Sequence, residues 1–244
     1  MELLTRAAIL ERHLTVVKPP GAGRFPVVVQ LHDCSGLQPM QFGYAEAARD
    51  LGAAAVVLDS FTPRGISRTQ ARLTICTGLR LRGGERAVDL LAALRWLQEQ
   101  PWADMTRVAV AGWSHGGWAI MEALAGTPPC DEADREALSR LKAAILFYPY
   151  AGPPSRTHRH GWNANRPKVY ACLGGRDAVA GTVMPGRALQ RLEDDGLDVH
   201  VLTLADATHC FDDEHCIAPH IRYRADLAQQ ARTFYASALR ESLF

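Results

Sequence analysis

The chain has 244 residues, 48% of them apolar, which fits one large α/β domain better than two small ones. Its formal net charge of +1 and scattered basic residues exclude the electrostatic footprint of nucleic-acid binding and give no reason to expect an anionic membrane surface as partner. No window approaches the ~18 consecutive apolar residues of a membrane span. Glu2, Arg6, Glu11, Arg12 and His13 break up any secretory leader, so a cytoplasmic location is expected unless a leader has been removed.

Taken in chain order, residues 7–17 have the length and β-branched content of an antiparallel first strand. Apolar runs then recur at 26–31, 53–58, 108–111, 143–147, 169–173 and 199–204. Between them, 41–51, 85–100, 118–125, 187–195 and 224–239 carry helical spacing of apolar residues. The clearest helix is 85–100, with an inner stripe of Val88, Leu91, Ala92, Leu94 and Leu97 and a stop at Pro101. Strands alternating with helices predict an α/β fold, a mostly parallel sheet with helices on both faces. Segments 61–82 and 148–166 read as long loops, and neither is a domain linker, so residues 1–244 are read as a single domain.

The six cysteines are too few for a disulfide scaffold in a chain of this length. Cys172, inside an apolar run, reads as a small buried hydrophobe. Cys34, Cys76, Cys210 and Cys216 fall in loops, and in a cytoplasmic protein their default state is the reduced thiol. The doublets His209-Cys210 and His215-Cys216 invite comparison with a zinc site. Structural zinc sites use tighter, better separated pairs, so two free thiols or a Cys210–Cys216 disulfide is the preferred reading, and no metal is expected.

One stretch carries chemistry. Val108-Ala109-Val110-Ala111-Gly112-Trp113-Ser114-His115-Gly116-Gly117 is an apolar strand that runs into G-x-S-x-G and then into a helix. That is the context of a nucleophile elbow on an α/β-hydrolase sheet. The tight turn holds the Ser114 hydroxyl above the sheet, and side chains at positions 112 and 116 would collide with the neighbouring strand and helix. A serine nucleophile needs a base, and the base needs an orienting carboxylate, expected in the order Ser, Asp or Glu, His after later strands. Asp177 follows the strand 169–173 and a Gly174-Gly175 turn, and His209 follows the strand 199–204. His200 lies within a strand, and His215 and His220 come late; Asp206 is too near His209 in sequence, and Asp59 follows an earlier strand. For the oxyanion, the His115 amide at the helix start is one donor, and a second is expected from the turn His32-Asp33-Cys34-Ser35-Gly36, at Cys34.

With these pieces placed, the chain resembles the dienelactone hydrolase family of α/β-hydrolases. The matching stretches are 32–36, Leu58-Asp59-Ser60-Phe61-Thr62-Pro63-Arg64-Gly65, 112–117, 174–177 and Thr208-His209-Cys210-Phe211. The resemblance implies a cofactor-free hydrolase of small esters or lactones, monomeric or weakly self-associating. It further implies Ser114 as nucleophile, Asp177 and His209 as its partners, and the Cys34 and His115 amides as oxyanion donors. Dienelactone hydrolases proper carry a cysteine nucleophile where this chain has Ser114, and a glutamate where it has Asp33. Asp33 is therefore a candidate substrate contact; Arg64, which follows the Asp59 strand and could reach the pocket to hold a substrate carboxylate, is another, with a structural pair to a nearby loop carboxylate as the equal alternative. The same triad also suits a small-substrate peptidase, an amidase or a thioesterase, and the fold alone suits a non-catalytic ligand-binding protein. A dinucleotide enzyme would need G-x-G-x-x-G after an early strand, which the turn at 32–36 lacks.

Overall fold

In the computed structural model, which describes residues 8–75, 80–162, 164–216 and 218–244, seven strands form one sheet in the order β1-β3-β2-β4-β5-β6-β7. They are β1 Leu14–Val17, β2 Phe25–Leu31, β3 Ala54–Leu58, β4 Ala103–Trp113, β5 Ala143–Phe147, β6 Lys168–Gly174 and β7 Val199–Leu204. Only the edge pair β1–β3 is antiparallel, and every other pairing is parallel. The mostly parallel sheet expected from the apolar runs is therefore present. The first strand is shorter than 7–17, because residues 8–11 are helical and strand begins at Leu14.

The helices are α1 Pro39–Asp50, α2 Arg68–Thr74, α3 Gly83–Gln98, α4 His115–Leu124, α5 Glu132–Ser139, α6 Thr157–His160, α7 Val183–Asp194 and α8 Ala225–Leu243. Alternation along the strands sends side chains to two apolar layers. On β2 and β4, Val27, Val29, Leu31, Val108 and Val110 pack with α3 and α4. Val28, Ala109, Ala111 and Trp113 pack on the other side with α1 and α8. Both faces are thus dry, as a parallel sheet requires.

Within the crossing 61–82, residues 61–75 are more ordered than a loop. They contain a 3-10 turn at Thr62–Arg64 and helix α2, and Phe61, Ile66, Ala71, Ile75 and Leu81 close over a small core of their own. The end of the crossing abuts α3, so it forms one wall above the carboxyl edge of the sheet.

No helix among the described residues is long and apolar enough to cross a membrane.

Candidate active site

Every predicted catalytic position sits just beyond the carboxyl end of a parallel strand, where open α/β sheets place ligands. Ser114 follows β4, Asp177 follows β6, His209 follows β7, and the turn 32–36 follows β2. Ser114 has φ of 49° and ψ of −108°, a conformation costing on the order of 1–3 kcal/mol for a non-glycine residue. The surroundings fix it. Its amide donates to Phe147 O at 2.9 Å, and its carbonyl accepts from the Trp118 and Tyr150 amides at 3.0 and 3.2 Å. Beneath it, Trp113 stacks on Phe147 with ring centres 5.0 Å apart. A Cβ at Gly116 would lie 2.1 Å from Leu31 O, and one at Gly112 would lie 2.6 Å from Gly116 C. The turn can therefore close only with glycine at both positions.

The three side chains predicted to act together meet. Ser114 Oγ lies 2.8 Å from His209 Nε2, and His209 Nδ1 lies 2.7 Å from Asp177 Oδ2. All three residues are buried. The other Asp177 oxygen accepts from the Val179 and Ala180 amides at 2.8 and 2.9 Å. Those amides fix the carboxylate, the carboxylate makes Nδ1 the donor, and Nε2 is left to accept from the serine. The rival carboxylates are engaged elsewhere: Asp206 pairs with Arg176, and Asp59 caps the Phe61 and Thr62 amides.

His115 is a second buried imidazole beside Ser114, and it is spent. Its Nε2 donates to Leu81 O at 2.8 Å, and its Nδ1 faces Arg86 Nη1 at 3.3 Å. Burial, then the Arg86 charge, push its pKa down to about 3, so the ring stays neutral. Its backbone opens α4 next to Ser114. Cys34 and His115 both line the cavity of about 330 Å³ above Ser114, with Trp118, Tyr150 and Val179. His32 holds the Cys34 turn in place: its Nδ1 donates to Asp33 O at 2.7 Å, and its Nε2 accepts from the Ser60 amide at 3.3 Å.

The two tentative substrate contacts are placed otherwise. Arg64 forms a bidentate pair with Asp89 at 2.7 and 2.9 Å and donates to Ser60 O. A guanidinium so occupied braces the 61–82 crossing against α3. Asp33 is buried, and its Oδ1 accepts from the Ser35 amide at 2.7 Å and the Ser35 hydroxyl at 2.6 Å. Its second oxygen accepts from Cys210 Sγ at 3.5 Å. Neither residue lines the cavity over Ser114.

Among the described residues, Cys34 departs from the reduced default. Cys34 is disulfide-bonded, whereas Cys130, Cys172, Cys210 and Cys216 are free thiols. Cys76 lies outside the described residues. Cys172 is fully buried, as its apolar context implies.

Sequence reasoning missed the polar frame behind His209. Tyr148 packs edge-on against the His209 ring at 4.8 Å, and its hydroxyl donates to Asp212 Oδ1 at 2.6 Å. Tyr44, from α1, donates to the other Asp212 oxygen at 2.7 Å. Burial raises the Asp212 pKa, and the hydrogen bonds from the two phenols offset only part of that rise. Asp213, fully buried beside it, is pushed up to about 6, chiefly by burial. The acidic doublet after His209-Cys210-Phe211 was the available signal, but in sequence it reads as a solvated loop.

The dienelactone hydrolase family profile matches residues 13–241. No curated protein matches the chain in sequence. Among solved structures, the dienelactone hydrolase-like promiscuous phosphotriesterase P91 from metagenomic libraries superposes with a TM-score of 0.73 at 22% identity, over 95% of this chain and 100% of that one. Esterase 2 of Thermogutta terrifontis, with propionate bound, gives 0.69 at 18% identity over 93% and 88%. A dienelactone hydrolase from Anabaena variabilis gives 0.66 at 18% over 95% and 92%. At such identities the structural likeness speaks for the fold alone, and the profile match over nearly the whole chain decides the family. The chain belongs to the dienelactone hydrolase family.

Proposed function

We propose that the protein is a serine hydrolase that cleaves a carboxylic ester or lactone through an acyl-enzyme on Ser114. One observation carries the reading: a continuous hydrogen-bonded line from Ser114 Oγ through His209 to Asp177, at 2.8 and 2.7 Å, under a cavity. His209 Nε2 takes the hydroxyl proton as Ser114 Oγ bonds to the substrate carbonyl carbon. Asp177 keeps the ring in the accepting tautomer and faces the charge the imidazole gains. The Cys34 and His115 amides receive the oxyanion, each such donor being worth about 3–4 kcal/mol.

Collapse of the tetrahedral species breaks the bond to the alcohol oxygen, which leaves with the proton from His209. Water, deprotonated by the same nitrogen, then releases the acid and restores Ser114. His115 takes no part in proton transfer, since both its ring nitrogens are committed.

The test compares wild type and Ser114→Ala on p-nitrophenyl acetate and butyrate, with mass spectrometry after exposure to a fluorophosphonate. The expected result is hydrolysis by the wild type, a loss on the order of 10⁶-fold in the variant, and a covalent adduct on the wild type alone. Retained turnover in Ser114→Ala would overturn the assignment.

A further inference from the structure

Beside the cavity above Ser114 lies a second chamber of about 430 Å³, and Arg82, Trp118 and Pro154 line both. Val88, Pro128 and Pro129 complete its apolar lining.

The chamber is built rather than left over. Glu122 is a buried carboxylate that takes three donors: Trp118 Nε1 at 3.0 Å, the Arg156 amide at 2.9 Å and the Thr127 hydroxyl. Each donor belongs to a different wall, namely α4, the segment before α6, and the turn after α4. A single buried charge thus ties three segments around the same space, and a charge taken out of water is stable only when so satisfied. The shared wall is equally fixed. The Trp118 ring lies edge-on to His115 at 5.2 Å and tilted against Tyr150 at 5.1 Å. A Cβ at Gly83 would stand 2.5 Å from it.

The position of the chamber decides which part of a substrate it takes. In the reading proposed above, on which this inference rests, the leaving oxygen must face His209 Nε2 to receive its proton. Val179, from the Asp177 loop, lines the first cavity. No residue of 177–180 or 205–213 lines the second. The second chamber is therefore walled by neither of the loops that carry Asp177 and His209, and the acyl group, which points away from the leaving oxygen, is the part of the substrate left to reach it. We infer that the chamber walled by Trp118, Val88 and Pro128–Pro129 is an acyl-arm subsite, selecting esters of medium-length or aryl-bearing acids over acetate.

The experiment is an acyl series of p-nitrophenyl acetate, butyrate and octanoate on wild type, Val88→Trp and Pro129→Trp. Val88 is half-buried and Pro129 exposed, so the second variant places its bulk on the outer wall if the first does not fold. In parallel, octanoate is titrated calorimetrically into Ser114→Ala with and without Val88→Trp. The filled chamber should lower kcat/KM for octanoate esters at least about tenfold while acetate stays within about twofold, and should abolish octanoate binding. Chain-length profiles that stay parallel in wild type and variants would overturn the subsite. With octyl acetate run beside the series, a loss confined to that ester would also overturn it, by assigning the chamber to the leaving group. Chamber-dependent octanoate binding with no turnover of any ester would instead sink the hydrolase reading and leave the subsite standing.

Discussion

Two histidines flank Ser114, and the regions behind them are opposite in charge. Behind His209 lie Asp177, and deeper Asp33, Asp212 and Asp213; Tyr44 and Tyr148 hydroxyls hold Asp212, and the Ser35 amide and hydroxyl hold Asp33. Behind His115 lies Arg86, fully buried, with Nε on Ser60 Oγ at 3.0 Å and its cation 5.6 Å from the Phe61 ring centre. Burial pulls even this guanidinium down to about 10, against the opposing pull of Asp89, Asp33 and Asp59. One imidazole thus touches a carboxylate, whereas the other, kept neutral first by burial and then by the Arg86 charge, faces a cation.

The strongest way to break the comparison is to remove the carboxylate that His209 touches. Asp177→Asn presents an amide donor to Nδ1 and reverses the favoured tautomer, so kcat on p-nitrophenyl butyrate should fall by about 10⁴-fold with the fold intact by circular dichroism. A loss of tenfold or less would mean that another group orients the ring.

On the basic side the corresponding change acts on stability. Arg64→Ala strips the buried Asp89 of its bidentate partner, which costs about 3–5 kcal/mol. Thermal melting should then drop by roughly 6–20 °C in a domain of this size. KM should stay within about twofold in the same variant, because Arg64 is outside the cavity. A large rise in KM with an unchanged melting temperature would return Arg64 to the role of substrate contact.

The smallest effect is the most discriminating in pH. The folded-state pKa of Asp213, near 6, is above that of an unfolded aspartate. The folded state therefore binds the extra proton, and stability is lost as pH rises through this window. Asp213→Asn removes that penalty, so its melting temperature relative to wild type should climb between pH 4.5 and pH 8. A difference independent of pH would show that the carboxylate is relieved by a neighbour.

How much of this was legible in the sequence follows from how local each signal is. Ser114 announces itself because a strained turn between strand and helix demands glycine on both sides. Asp177 and His209 follow because parallel strands all deliver their loops to one edge. Capping signals also stood in the chain unread. Ser67 with Gln70 opens α2, and Asp131 with Asp134 opens α5; both helices were missed because their short, polar sequences lack a clear apolar period. The pairings Arg64–Asp89, Arg86–His115 and Tyr44–Asp212 were out of reach. Each joins different elements through a charge that, read along the chain, looks like ordinary surface. Their burial is a property of the packed sheet and helices, and no spacing encodes it.

The one-sided delivery of those loops also divides the molecule by what it can tolerate. The turns at the other edge of the sheet touch none of this chemistry. Residues 20–24, between β1 and β2, are exposed, and Gly21, Gly23 and Gly196 have open space around them. Inserted peptides, tags or drifting sequence there would meet only solvent. At the site-bearing edge, by contrast, the segments 80–82 and 151–156 can be exchanged to reshape the chambers while the strands that hold Ser114, Asp177 and His209 stay fixed. Such a scaffold can change its substrates over evolutionary time without first surrendering its fold.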